Sequence, residues 1–215
     1  TSMFAVMGLV LAFTYASGVS RYDARKSAVT LEANALGTAF HRADLVAEPG
    51  RTELKAILLG YARSRVFELG TIRSEEDRKQ VLKSTLEELA KIWPATKRVV
   101  DQGKAGPIEA SLVAAINDVL DAHTIRLAAA IDKLPRVIMW MLVFISSASL
   151  AVAGYNAGIQ GRMSRWRMSA FVLVLTFLIT VVLDFDRPND GFVTVSNLSI
   201  HSVIKDMETD LMLSN

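Results

Sequence analysis

Charged residues are distributed unevenly along this chain, and the gaps between them define its first elements. Met3 to Ser20 is nearly all apolar or small, Val137 to Gln160 holds no charged residue, and Met168 to Leu183 holds none either. A helix needs about 20 apolar residues to cross about 30 Å of hydrocarbon. By that measure the second stretch spans easily, the first is close and the third is short. Flanking Arg165, Trp166 and Arg167 can reach to the interface and cover the deficit. The pattern predicts an all-α membrane protein with three spanning helices in this chain and a helical extramembrane region.

The first apolar run does not stop at Ser20. Ser20 to Leu45 has no proline and a single glycine, so one helix is expected to leave the membrane and continue. Asp23, Ser27, Thr30, Asn34, Thr38 and His41 recur at helical steps and form one polar stripe. Arg21, Arg25 and Glu32 project from the roughly opposite side, with Ala28, Ala35 and Ala39 between them. A surface helix needs one polar face only. Two polar faces and small residues throughout point to a helix buried among others, around water or paired charges.

The stripe has two readings. One is hydrogen bonding between helices, worth about a kcal/mol or less per contact in a membrane. The other is the wall of a water-filled path. Followed backwards at the same spacing, it meets Ser20, Ala16, Phe13 and Leu9, so a polar lining becomes an apolar ring. That is the form of a pore with a hydrophobic gate at Phe13. Three helices in one protomer leave no room for such a pore, so a homo-oligomer would have to close it.

Pro49 and Gly50 break the first helix. A second helix is expected from Arg51 to Leu69, with Leu54, Ile57, Leu58, Tyr61 and Arg65 on one face. Ser74 is the expected N-cap of a third, with Glu75, Glu76 and Asp77 in its first turn, where negative charge suits the helix dipole. Val81, Leu82, Leu86, Leu89 and Trp93 are its expected inward face, and Pro94 kinks it or ends it. Pro107 fits the first position of the next helix. There Leu112, Ala115, Val119, Ala122, Arg126 and Ala129 fall in register, with Asn117, Asp118 and Asp121 turned away. In the tail, Ile200, Val203, Ile204, Met207 and Leu211 make one face of an amphipathic helix. The expected divisions are 1–47 (a spanning helix continuing into the polar one), 48–134 (helical extramembrane region), 135–191 (two spanning helices and the DFDRP motif) and 192–215 (tail).

The second spanning helix carries Ser146, Ser147, Ala148, Ser149, Ala151, Ala153 and Gly154, small residues that let membrane helices approach closely. Asp184, Asp186 and Arg187 close the third, and Arg21 and Arg25 close the first. Charges near hydrocarbon are costly unless paired, so Arg21, Arg25, Glu32, Asp184, Asp186 and Arg187 form the candidate charge cluster. It reads either as a clamp between helix ends or as an ion-attracting vestibule.

Composition removes several classes of function. The chain of 215 residues has no cysteine, which excludes disulfides, zinc–thiolate sites and thiol catalysis. A net charge of +2 gives no field for nucleic acid. His41 with Asp44, and Asp118, Asp121 and His123, lack the spacing of a helical zinc site. No nucleophile elbow, phosphate loop or HExxH supports an enzyme, and no cofactor or metal is expected. The apolar run begins at once without a basic leader or a cleavage pattern, so a further spanning helix upstream is expected rather than a signal peptide. Lys and Arg near helix ends (Arg21, Arg25, Lys26, Lys133, Arg136 and Arg187) outnumber those of the loop at 160–167, which favours a cytoplasmic middle region.

SRYDARKSAVTLEANALGTAFHRADL, then NDVLDAH with Arg126, then DFDRPNDG resemble the bestrophin-like family of bacterial integral membrane proteins. The matching positions are Arg21, Asp23, Arg25, Glu32, Asn34, Arg42, Asp44, Asn117, Asp121, Arg126, Asp184, Asp186, Arg187, Pro188 and Gly191. The resemblance implies a charged helical region between pairs of spanning helices, an inner-membrane location, and kinship to pentameric anion channels. The expectation is therefore a homo-oligomeric ion channel, with anions suggested by that kinship. Leu9, Phe13, Ala16, Ser20, Asp23, Ser27, Thr30, Asn34, Thr38 and His41 would line it, with lipid and ions as partners. The alternative is a non-conducting membrane scaffold or sensor whose stripes are packing contacts.

Overall fold

The computed structural model describes residues 2–66, 74–103, 106–159, 165–186 and 194–213, and every regular element among them is an α-helix. These are α1 (Ser2–Ala43), α2 (Gly50–Ser64), α3 (Glu75–Gln102), α4 (Pro107–Ile131), α5 (Arg136–Ile159), α6 (Arg165–Phe185) and α7 (Leu198–Leu213). Three runs are long and apolar enough to cross a membrane: Met3–Ala43, Pro107–Ile159 and Met168–Phe185. Within the second, α4 carries Glu109, Asp118, Asp121 and Arg126, so the span is α5, whose single charge, Arg136, sits at its end.

The chain divides into two compact units, Thr1–Arg25 with Ala129–Val195, and Lys26–Ala128 with Ser196–Asn215. The core of the first is Met7 and Leu11 of α1, Leu142 of α5, and Leu175 and Val182 of α6. Phe4 of α1 meets Phe171 of α6 edge to face. Most large side chains of α5 and α6 lie outside that core; Trp140, Phe144, Tyr155, Trp166, Leu173 and Phe177 are all exposed. Such an apolar exterior is what helices in lipid present, and it would be an aggregation hazard in water.

The second unit is built on the latter part of α1. Ala28, Val29, Ala33, Leu36, Ala39, Phe40 and Ala43 are buried there, and the three alanines among the later positions allow close packing. Leu54, Leu58, Tyr61 and Ala62 of α2, Ile92, Ala95 and Val99 of α3, and Leu112, Ile116 and Val119 of α4 complete the core. Ile200 and Met207 are the buried positions of α7, which packs on α2. Ser74 caps α3 in a reciprocal box with Asp77, each side chain bonding the other's backbone N–H, as the acidic first turn predicts.

Two expectations are corrected and a third is narrowed. The helix predicted to reach Leu69 ends at Ser64. Ser64 Oγ bonds back to the Tyr61 carbonyl at 2.7 Å, and Thr85 Oγ1 donates to the Ser64 carbonyl at 3.2 Å. Side chains that bond the backbone in this way compete with the helical ladder. Of the two alternatives at Pro94, a kink or a helix end, the end is removed, because α3 runs through it. The buried face of α3 is Thr85, Ile92, Ala95, Thr96 and Val99, whereas Leu82, Leu86 and Trp93 are exposed. The small and β-branched stripe packs against α2 because Gly50 and Gly60 of α2 make room for it; a Cβ on Gly50 would stand 2.7 Å from Val99 Cγ2. A bulky leucine–tryptophan face could not come that near.

Candidate functional site: the two faces of α1

At about 100° per residue, Met7, Leu11, Thr14, Gly18, Arg25, Val29, Glu32, Leu36 and Ala43 fall within one narrow sector of α1. All nine are buried. Leu9, Phe13, Ala16, Ser20, Asp23, Ser27, Thr30, Asn34, Thr38 and His41 lie on roughly the opposite side. All ten are exposed. Leu9 and Phe13, at 57% and 67%, are far more open than bulky apolar residues usually are. One side of α1 thus holds the protein together, and the chain leaves the other uncovered.

Charged residues on the buried side are each accounted for. Arg25 donates Nε to the Ala129 carbonyl (3.1 Å) and a terminal nitrogen to that of Asp132 (2.8 Å). Its other terminal nitrogen donates to the Phe185 carbonyl (2.9 Å). A guanidinium offers five donors in a rigid fork, and this one closes the C-terminal ends of α4 and α6, where carbonyls lack partners. Arg21 Nε lies 3.3 Å from Asp132 Oδ2, and Asp186 Oδ1 accepts the Leu134 N–H at 2.6 Å. Gly18 gives Phe185 room, and Tyr15 and Tyr22 flank its ring. The arrangement is a clamp between helix ends. Arg187 lies outside the described residues.

Glu32 belongs to a different group. It is fully buried, and Arg126 donates to Oε2 at 2.6 Å while Arg65 Nε stands 2.9 Å from Oε1. Tyr61 donates its hydroxyl to Oε1, and His123 Nδ1 is 2.9 Å from the same hydroxyl. With its proton committed to the carboxylate, that hydroxyl accepts from the imidazole, which fixes the proton on Nδ1. Arg126 reaches on to Asn197 Oδ1 at 3.1 Å. Burial, with the Glu32 carboxylate beside it, holds the Tyr61 phenol far above its ordinary range.

A further buried cation, Lys55, lies between Asp44 of the turn after α1 and Asp210 of α7, 2.5 Å from each. Its ammonium also sits over the Phe40 ring, 4.4 Å from the centroid. Arg42 donates to the Ser111 carbonyl at 2.7 Å.

The candidate residues therefore separate into three sets. The pore stripe stays together on one exposed side of α1, the helix-end clamp unites Arg21, Arg25 and Asp186 with Asp132, and Glu32 pairs with Arg65 and Arg126. Asp44 joins Lys55, while Asp118 and Asp121 are exposed and His123 is buried. The periodicity of residues 51–69 puts Tyr61 and Arg65 on one face with Leu54, Ile57 and Leu58 and gives them no ionic role. The available signal was a polar pair four residues apart on an otherwise apolar stripe, facing an acid on a stripe of alanines.

Comparison with known proteins gives the family and the fold. The Bestrophin-like domain profile matches residues 2–200. Two crystal structures, each described as a membrane protein and each of a proline-to-alanine variant, share the fold. The first has a TM-score of 0.72 at 10% identity over 96% of this chain and 84% of its own. The second has 0.67 at 12% identity over 94% and 82%. No curated protein matches.

Proposed function

This chain belongs to the Bestrophin-like family of membrane proteins, and we propose that it is one subunit of a closed ring whose axis is an ion pore. The wall is the uncovered side of α1. One observation carries this reading: all ten stripe residues are exposed, opposite the side that packs. The stripe starts apolar, at Leu9 and Phe13 within the span, and turns polar from Ser20 onward. Rings of apolar side chains gate by dewetting, and a hydroxyl and amide lining keeps the wider part wet.

The charges on the two sides bear on selectivity. Arg21 and Arg25, which would favour anions from a lumen, lie on the side bound to helix ends. Asp23 is the one acidic residue on the stripe, and a ring of carboxylates attracts cations. The wall therefore favours cations, against the anion preference that kinship alone suggests. The basic residues at the inner helix ends orient the Lys26–Ala128 unit to the cytoplasm.

Reconstituted in planar bilayers, the protein is expected to conduct, with a reversal potential in a salt gradient on the cation side. Asp23→Asn shifts that potential toward zero, and Phe13→Ala raises the basal current. A closed ring whose α1 stripes face away from the axis would overturn the reading. A second reading is a non-conducting scaffold, favoured by the exposed Leu82, Leu86 and Trp93 of α3, a face suited to a partner. A dry dimer or a monomer in solution selects it.

A further inference from the structure

The Glu32 cluster is not electrically balanced. Among the described residues it holds one carboxylate against two guanidiniums, Arg65 and Arg126. Those same three charges act on the Tyr61 phenol beside them. Arginine keeps its proton at any pH a protein survives, so the surplus cannot be shed by titration. If His123 is charged as well, the surplus only grows. Uncompensated charge away from water is strongly disfavoured. A second sign of an absent partner is independent of this count. Arg65 Nε is buried with no hydrogen-bond acceptor, because its 2.9 Å approach to Glu32 is badly aligned. Glu32 has no exposure, whereas the side chains of Arg65 and Arg126 retain 10% and 12%, so the cluster is open on its arginine edge.

We propose that the Arg65–Arg126 edge of this cluster is a binding site for a small monovalent anion, of the halide type. The anion supplies the single negative charge the cluster lacks and an acceptor on the guanidinium side of Arg65. Being bound to the folded state alone, it stabilises the second unit by mass action. A monovalent ion fits because the surplus is one; a dianion would reverse the imbalance beside Glu32. The site is separate from the α1 stripe, so it stands whether or not the protein conducts.

The test uses the purified full chain in detergent, with chloride replacing gluconate at constant ionic strength and thermal unfolding followed by tryptophan fluorescence. The midpoint is expected to rise saturably, by on the order of 5 °C at chloride about a hundredfold above its dissociation constant. Arg65→Gln, which balances the cluster, abolishes the rise, and Arg65→Lys keeps it in part. A flat wild-type response, or one that Arg65→Gln leaves intact, overturns the proposal. Should Arg65→Gln fail to fold, bromide located in the wild-type protein by anomalous diffraction decides. Density beside Arg65 and Arg126 supports the site, and its absence there overturns it.

Discussion

Glu32 has no exposure, and a lone carboxylate in that position would be untenable. Arg65, Arg126 and the Tyr61 hydroxyl make it tenable. Removing one member of a buried ionic group leaves the others unpaired, so Glu32→Ala should cost about 3–5 kcal/mol in denaturant unfolding. The exposed pair Arg98–Glu53 sets the comparison, and Glu53→Ala should cost under about 1 kcal/mol. A second consequence concerns alkaline pH. Burial raises the Tyr61 phenol above its ordinary 10.0, and the Glu32 carboxylate adds to it. Burial works against the charge of Lys55, but its bonds to Asp210 and Asp44 outweigh that and raise it above 10.5. Both groups hold a proton more tightly folded than unfolded. The stability they contribute is complete below those unfolded values and is lost as pH rises past them. Stability measured against pH should therefore fall above about pH 10. Lys55→Met should make that fall shallower, and an unchanged slope would discount Lys55.

Helix α1 shows how far element-level patterning reaches. Its length, its polar stripe and the opposite placement of Arg25 and Glu32 were all legible, because helical spacing alone fixes which residues share a side. What each side meets was not. Arg25 and Glu32 looked like one charge cluster, yet one closes helix ends and the other faces α2 and α4, contacts more than 90 residues distant in the chain for Ala129 and Arg126. In α3 the periodicity located an apolar stripe but not the one that packs. The deciding residues were Gly50 and Gly60 on α2, whose missing side chains admit α3 closely. Gly50→Ala would press a methyl group onto Val99 and should destabilise the α2–α3 pair by about 1–3 kcal/mol. Thermal unfolding checks this, and wild-type stability would mean that α3 can yield.

At the scale of the whole molecule, α5 and α6 turn large apolar side chains outward, while α1 turns outward a stripe that becomes polar beyond Ser20. Lipid covers the first kind of surface at no cost, whereas the second suits water. A ring of subunits around an aqueous axis accommodates both. The natural absence of cysteine makes the claim directly measurable, since any introduced thiol is the only one. Thr30→Cys, Asn34→Cys and Thr38→Cys, each in a conducting bilayer, can be exposed to a charged, membrane-impermeant thiosulfonate while single-channel current is recorded. The account predicts that modification on this side reduces the current stepwise, whereas Leu86→Cys, exposed on α3 and not on α1, is silent. Current unaffected at all three stripe positions, with labelling confirmed, would contradict it.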